Sequence, residues 1–325
     1  MNIGIVGLGS MGNRRIRLIK QHDESIKMVG IDSREDRRKK CELEWGILTY
    51  LDLYEAITSN QLDCVFVCTS PLTHRDIIQT CLHEGLHVFS ELNLVADGYD
   101  LSIALAKEKN LVLFLSSTFL YRNEVQYIKK AVRQSATLLN YSYHVGQYLP
   151  DWHPWENYLN YFVAENRSNG CREIFAIEFP WLVDVFGPID QVEVIKNKIS
   201  DLQIDYPDNY LLVIQHKHGH KGMLAVDIVS RKPVRNLEIF GEALHLTWDG
   251  SHNGLRRYDY EAKVDRMINS YEVIDQLDSY SQFVVENAYF NEIVSFFRAI
   301  NYGERPLYSF EQDLEILSLI DRIEA

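Results

Sequence analysis

Short apolar runs alternate with amphipathic segments over the first third of the chain. The apolar runs predict strands, and the segments between them place apolar residues at helical spacing. Strands are predicted at 2–7, 26–32, 47–50, 63–69, 86–90 and 111–116, and helices near 11–22, 34–44, 52–59, 73–84 and 97–109. Successive strand and helix units of this kind form a parallel sheet with right-handed crossovers. The pattern predicts an α/β Rossmann domain, a doubly wound parallel sheet, over residues 1–120.

Beyond residue 120 the alternation gives way to a series of strands. A linking helix is predicted at 123–134, followed by strand-like runs at 136–147, 190–199, 209–217, 222–230, 235–241 and 244–249. Strands with few helices between them are typical of an open, mostly antiparallel sheet. Two apolar helices, 283–300 and 310–323, follow, and we expect them to pack back on the Rossmann domain. Residues 121–325 are thus predicted to form an α+β domain for substrate binding and oligomerisation.

Composition and charge exclude several classes of protein. The chain has 325 residues, of which 46% are hydrophobic, and a formal net charge of −13, which argues against a nucleic-acid-binding surface. It has no apolar run of the roughly 18 residues that would predict a membrane span. Because the first strand begins at Asn2, we expect no signal peptide and a cytoplasmic location. The five cysteines form no CxxC pair, which favours reduced thiols and no metal site.

The first predicted strand leads directly into a glycine-rich turn. Gly7, Gly9 and Gly12 have the spacing GxGxxG, and the helix is expected to begin near Ser10 and Met11. In a dinucleotide-binding fold, the first glycine makes the turn, the second admits the pyrophosphate and the third lets the helix pack on the strand. We therefore assign these five residues to a cofactor site, with the helix amino terminus facing the phosphates.

An acid ends the second predicted strand, as this kind of site requires. Asp32 can accept hydrogen bonds from the adenosine ribose and would repel a 2′-phosphate, which favours NAD over NADP. Ser33 and Arg34 follow at once and could accommodate that phosphate instead. Ligands bind outside the carboxyl ends of parallel strands, so cofactor contacts, as well as helix capping, are expected from the turn after strand four. The residues of this turn are Thr69, Ser70, Pro71 and His74.

Taken together, these motifs resemble the glucose-fructose oxidoreductase, inositol dehydrogenase and rhizopine-catabolism (Gfo/Idh/MocA) family. The resemblance rests on GxGxxG, the acid after strand two, CTSP followed by His74, and HVFSE at 87–91, and it continues through 146–158, 180–187 and 310–323. It implies an NAD(P)-dependent oxidoreductase. Such an enzyme would transfer a hydride between nicotinamide and a secondary alcohol or ketone of a sugar, polyol or nucleotide-sugar.

The chain departs from the family at two positions that usually carry the chemistry. Members typically have Glu-Lys-Pro after strand five, whereas here Glu91 is followed by Leu92 and Asn93, which we still expect beside the cofactor. Members also commonly carry a histidine and an aspartate where this chain has Ile177 and Pro180. Neither leucine nor isoleucine can transfer a proton. An alternative function is therefore a catalytically inactive dinucleotide-binding sensor or partner subunit.

Three other residues could transfer the proton. Imidazole titrates near neutrality, which favours His153, although this residue could equally cap its turn. Glu173 and Glu178 flank the position of the family's histidine, and burial would raise a glutamate pKa into range. The surrounding stretch 141–161 is rich in polar aromatic residues, as small-molecule sites are. The substrate-binding candidates in it are Tyr148, Trp152, Trp155 and Tyr158.

Two expectations concern the second domain as a whole. His216, His218 and His220 lie in a glycine-containing hairpin, HKHGHKG, and are expected to face solvent rather than hold a metal. The sheet built from these alternating strands has two faces, and the Rossmann domain can cover only one of them, so the other would expose a large apolar patch in a monomer. We therefore expect a homodimer or homotetramer formed through the other face.

Overall fold

The computed structural model describes residues 1–154, 156–277 and 281–325. The strands of these residues are β1 (Asn2–Val6), β2 (Lys27–Ile31), β3 (Leu48–Tyr50), β4 (Cys64–Val67), β5 (His87–Ser90), β6 (Leu113–Leu115), β7 (Asn140–Gly146), β8 (Ile189–Asn197), β9 (Asn209–His216), β10 (Lys221–Asp227), β11 (Val234–Phe240), β12 (His245–Trp248), β13 (Arg256–Asp259) and β14 (Val264–Met267). The α-helices are α1 (Ser10–His22), α2 (Glu35–Trp45), α3 (Leu53–Ser59), α4 (His74–His83), α5 (Tyr99–Glu108), α6 (Asn123–Gln134), α7 (Gly170–Phe186), α8 (Glu286–Tyr302) and α9 (Phe310–Glu324).

The chain folds into two compact units. The first comprises residues 1–117 and 289–317, and the second comprises residues 118–288 and 318–325. No α-helix in the described ranges is both long and apolar enough to cross a bilayer.

The first unit is built on a six-stranded parallel sheet. Its strand order is β3-β2-β1-β4-β5-β6, the order of a doubly wound dinucleotide-binding sheet. Strands covered by helices on both faces need apolar residues at every position, and β4, with the sequence CVFV, is buried throughout. The sheet confirms the predicted fold class of the amino-terminal region.

Aromatic residues form the centre of this unit's core. Phe66, Phe89 and Phe114 lie on three adjacent strands and stack with ring centroids 4.6 and 4.9 Å apart. Phe296 on α8 meets these rings edge-on at 5.3 to 5.7 Å. Because α8 supplies this ring, a segment almost at the end of the chain completes the core of the first unit.

The second unit is built on an eight-stranded sheet. Its order is β14-β13-β12-β11-β7-β10-β9-β8, and every neighbouring pair is antiparallel except β7 and β10. The predicted open, mostly antiparallel sheet is confirmed. Helix α7 covers one face, where Phe186 stacks on Tyr141 at 4.5 Å and Trp181 meets Tyr143 edge-on at 5.6 Å. The pattern analysis missed β13 and β14, because these short strands are polar and largely exposed.

The expectation for the three hairpin histidines is wrong for His216. Its position in β9 points to the face covered by α7, and its ring is buried. Nδ1 lies 2.6 Å from the Gly187 carbonyl oxygen and Nε2 lies 3.0 Å from the Tyr141 hydroxyl. Burial lowers the pKa of His216 to about 4, so the ring is neutral at pH 7. His218 is exposed and His220 half-buried, and within the described residues no cluster of three His, Cys, Asp or Glu side chains could hold a metal.

Candidate functional site

The glycine-rich turn has the backbone geometry that its sequence demands. Gly7 has a φ of +92°, which L side chains rarely adopt, and a Cβ there would lie 2.6 Å from the Cys68 carbonyl oxygen. A Cβ on Gly12 would overlap the carbonyl oxygen of Gly7. Gly9, by contrast, has only the Arg37 side chain nearby, at 3.6 Å. The first and third glycines are thus required by packing within the chain, whereas space remains beside the second.

The amino terminus of α1 is prepared for an anion. The helix has no side-chain cap and no acidic residue in its first turn. Asn13 donates from Nδ2 to the carbonyl oxygens of Leu8 and Gly9, at 2.8 Å each, and accepts a 2.9 Å bond from Trp45 Nε1. Because the helix has no side-chain cap and the Asn13 oxygen accepts from Trp45, side chains leave the amide groups of the helix terminus available for phosphate oxygens. Sequence reasoning missed Asn13, which lies outside the glycine spacing.

Asp32 is anchored next to this turn. One carboxylate oxygen accepts the Leu8 backbone N–H at 2.8 Å and the other accepts that of Arg34 at 2.9 Å. An ionised carboxylate has further lone pairs for ribose hydroxyls. The guanidinium of Arg34 is engaged with Asp36 at 2.6 Å, while Arg37 approaches Asp32 at 3.6 Å. Ser33 is exposed. The turn, the helix terminus and the carboxylate together fit a nicotinamide dinucleotide.

His74 joins the ends of β4 and β5. Its Nε2 lies 3.0 Å from the Thr69 carbonyl oxygen and its Nδ1 lies 2.6 Å from the Asn93 side-chain oxygen. The ring is buried, and burial lowers its pKa. Ser70 and Pro71 begin the short 3₁₀ turn between β4 and α4 and stay partly exposed. His74 therefore holds the two strand ends together from inside, while Ser70 and Pro71 are open to a ligand.

Glu91 has a buried partner that sequence reasoning missed. Arg15, fully buried on α1, donates to Glu91 at 2.6 and 3.2 Å and to Glu292 at 2.8 Å. Ser116 adds a 2.9 Å bond to Glu292. The available signal was a charged residue on the apolar face of a helix, three residues after Gly12. Leu92, which follows Glu91, stays partly exposed.

In the second unit, Glu173 has an unusual environment. Its Oε2 is buried and has no hydrogen-bond partner in the described part of the chain. Burial raises the pKa of Glu173 to about 7. Glu173 precedes Ile177 by four residues on α7, so the two share a helix face and both are partly exposed. A carboxyl group whose pKa burial raises to about 7 thus lies one turn from Ile177, which we expect to occupy the place of the family's histidine.

Two rings from the preceding loop accompany Glu173. His153 lies against Tyr161 with ring centroids 4.6 Å apart, and the Tyr161 hydroxyl is buried with no hydrogen-bond partner in the described ranges. Burial, with smaller contributions from the Glu173 and Glu156 carboxylates, raises the pKa of Tyr161. Burial lowers the pKa of His153. The cluster therefore contains a neutral imidazole, a protonated phenol and a glutamate of intermediate charge at pH 7.

Glu178 has a different environment from Glu173. It is fully buried and accepts hydrogen bonds of 2.7 Å from the Tyr143 hydroxyl and from Trp181 Nε1. It also forms an ion pair with Arg235. These partners stabilise the carboxylate, which argues for a structural role and against proton transfer.

The aromatic candidates in the loop are held by local contacts. The Tyr148 ring lies under the guanidinium of Arg231, whose carbon is 3.6 Å from the ring centroid. Trp152 donates from Nε1 to the Gln147 carbonyl at 3.2 Å. The Tyr158 hydroxyl accepts the Gln203 backbone N–H at 3.1 Å. Trp155 lies outside the described residues.

Comparison with known proteins shows that the chain is similar to several oxidoreductases and related enzymes. Residues 1–116 match the family model GFO_IDH_MocA, described as "Oxidoreductase family, NAD-binding Rossmann fold". A myo-inositol 2-dehydrogenase of Thermotoga maritima is 31% identical over 135 residues, which cover 41% of this chain and 40% of that protein. A 2,7-anhydro-N-acetylneuraminate hydratase of Escherichia coli is 21% identical over 277 residues, 75% of this chain and 72% of that protein. The chain thus spans about two fifths of the length of the inositol dehydrogenase that it matches.

A solved structure extends the likeness to the rest of the chain. Levoglucosan dehydrogenase, solved in complex with NADH and levoglucosan, matches with a TM-score of 0.82 and 15% identity, over 99% of this chain and 96% of that chain. At this identity the match shows a shared fold. Over residues 1–116 the chain is similar to the NAD-binding Rossmann domain of the Gfo/Idh/MocA oxidoreductases.

Proposed function

We propose that the protein is an NAD-dependent oxidoreductase acting on a secondary alcohol or ketone of a sugar, polyol or nucleotide-sugar. When bound, the nicotinamide supplies the hydride donor or acceptor. The observation that carries the proposal is that the chain has both a dinucleotide-binding turn and, in the second unit, a partnerless carboxyl group of Glu173 with a pKa of about 7. A sensor that only bound the cofactor would have no need of such a group.

We propose that the cofactor is NAD rather than NADP. The Asp32 carboxylate is fixed by the backbone N–H groups of Leu8 and Arg34, so it cannot turn away from a 2′-phosphate without losing both bonds. Arg34 is engaged with Asp36. Arg37 lies 3.6 Å from the Asp32 carboxylate, and Arg38 donates to the Asp32 backbone carbonyl at 2.7 Å, so both guanidinium groups are engaged with Asp32.

We propose that Glu173 exchanges the proton of the substrate oxygen. A general base works best when its pKa is near the operating pH, and burial gives Glu173 such a value. The Tyr161 hydroxyl has no hydrogen-bond partner among the described residues and interacts electrostatically with Glu173, so we propose that it passes or orients that proton. His153 remains a second candidate, since a neutral imidazole can accept a proton.

The proton-transfer assignment is tested with Glu173→Gln and His153→Ala, assayed for NADH turnover on keto-sugars and for NADH affinity. We expect Glu173→Gln to lower kcat by about a hundredfold or more while NADH affinity holds. Glu165→Gln, at an exposed glutamate that follows the loop and precedes α7, is the matched control. If His153→Ala is the deficient variant and Glu173→Gln is active, the proton role belongs to His153. If wild-type protein binds NADH and turns over no substrate, the sensor function replaces the enzyme.

We also propose that two copies associate through the open face of the second sheet. Ile195, Leu211, Val213 and Met223 are 70%, 48%, 58% and 54% exposed on that face. They lie in register on β8, β9 and β10, since Ile195 pairs with Leu211 and Val213 with Met223. A contiguous apolar patch on a strand surface is typical of an interface between copies.

A further inference from the structure

Arg231 is placed over Tyr148, one of the aromatic residues of the candidate substrate loop. The central carbon of its guanidinium is 3.6 Å from the centre of the tyrosine ring, while the residue as a whole stays exposed. A guanidinium that covers a ring keeps its N–H groups directed outward in its own plane, where they can bind a planar anion with two parallel hydrogen bonds.

The backbone on both sides of this contact is fixed. Asp227 accepts the backbone N–H groups of Val229 and Ser230 at 2.9 and 2.7 Å, which sets the turn that carries Arg231. Gln147 and Leu149, which flank Tyr148, donate their backbone N–H groups to the carbonyl oxygens of Asp227 and Ile228 at 3.3 and 2.9 Å. The arginine and the ring are therefore positioned by one hydrogen-bonded segment, so little ordering remains to be done when a ligand binds.

Five arginines of the second unit pair with acids, whereas Arg231 has no acidic partner among the described residues. The paired arginines and their partners are Arg122 with Glu124, Arg133 with Asp184, Arg172 with Asp321 and Glu324, Arg235 with Glu178, and Arg266 with Asp259. Within the ranges that the structure describes, no carboxylate pairs with Arg231. In a chain of net charge −13, a pre-positioned cation without an acid is a site for an anion from outside.

We propose that the substrate is an anionic sugar or polyol, and that Arg231, held on Tyr148, binds its carboxylate or phosphate group. This inference rests on the proposed function and narrows its substrate class. Arg231 is a binding residue in it, and it takes no part in proton transfer. The charge of the substrate would fix its orientation, while the ring of Tyr148 contacts its carbon skeleton.

The test compares matched sugars on the full-length protein saturated with NADH. The probes are glucose, galactose and mannose, their hexuronates, and their 6-phosphates, and binding is measured by calorimetry. We expect an anionic member to bind about tenfold or more tightly than its neutral parent. The tighter binder of the two anionic forms, uronate or 6-phosphate, shows whether Arg231 binds a carboxylate or a phosphate group. Arg231→Gln should reduce the affinity for the anionic sugar to that for the neutral parent, whereas Arg231→Lys should retain part of the difference. Added salt should weaken binding of the anionic sugar.

Arg257→Gln is the matched control, because Arg257 is an exposed arginine on β13 at the far end of the sheet. It should leave every affinity unchanged. The inference would be overturned if anionic and neutral sugars bound equally well, or if Arg231→Gln left the affinity for the anionic sugar unchanged. It would also be overturned if protein that binds NADH bound no anionic probe. Failure to bind NADH would instead contradict the proposed function itself.

Discussion

Replacement of Glu173 by glutamine should stabilise the protein by an amount that grows as pH rises from about 4.5 to about 7 and is complete above that pH. The carboxyl group has a pKa of about 7 in the folded protein against an ordinary value of 4.5. Between these values the folded state retains a proton that the unfolded state has released, so stability falls as pH rises. A difference of about 2.5 pKa units corresponds to about 3 kcal/mol, and partial exposure of the residue reduces this to roughly 2 kcal/mol.

Glutamine resembles the protonated acid and does not titrate. Glu173→Gln should therefore match the wild-type protein in free energy of unfolding near pH 4.5 and exceed it by about 2 kcal/mol at pH 8. Urea unfolding followed by tryptophan fluorescence measures this, because Trp181 and Trp248 are buried in the second unit. Glu165→Gln, at an exposed position, should give no such pH-dependent difference. A Glu173→Gln effect that is equal at both pH values would refute the buried, partnerless carboxyl group.

Three further predictions concern the cofactor turn and assembly. Gly12→Ala should lower the free energy of unfolding by about 1–3 kcal/mol, because its Cβ overlaps the backbone. Gly9→Ala should have the melting temperature of the wild type in a thermal scan but a lower affinity for NADH in a titration. The wild type should bind NADH about tenfold more tightly than NADPH, and Asp32→Ala should narrow that preference; equal affinities in the wild type would contradict it. Light scattering of the wild type should give two or four times the chain mass of 37.9 kDa. The double variant Val213→Glu, Met223→Glu should be monomeric, and a monomeric wild type would contradict the interface.

Local pattern was sufficient for the architecture. The linking helix predicted at 123–134 is α6, Asn123–Gln134, because its apolar residues recur at helical spacing. Strands of the parallel sheet were found because most are short runs of mainly apolar residues, such as CVFV in β4. β13 and β14 were not found, since they are held by pairing with neighbouring strands and carry no apolar alternation of their own.

The candidate site could be predicted only where residues close together in the sequence form it. The glycine turn and Asp32 follow known spacing, and the structure brings them together. The partner of Glu91 is 76 residues away and that of Glu292 is 277 residues away, so the burial of Arg15 between them could not be derived from spacing. Likewise, the sequence places Glu173 and Glu178 on the same helix and does not tell their roles apart. Only the structure shows that Glu173 has a buried carboxyl oxygen without a partner, whereas Glu178 is paired with Arg235.

The central claim, that the chain catalyses hydride transfer, is tested most directly with NADH that carries deuterium at both C4 positions of the nicotinamide, so that either face delivers the label. The full-length protein is incubated with this NADH and a mixture of neutral and anionic keto-sugars, and the products are analysed by mass spectrometry. We predict a reduced sugar one mass unit heavier than its unlabelled counterpart, with a yield that falls in Glu173→Gln. A protein that binds the labelled NADH and transfers deuterium to no sugar in the mixture would contradict the account.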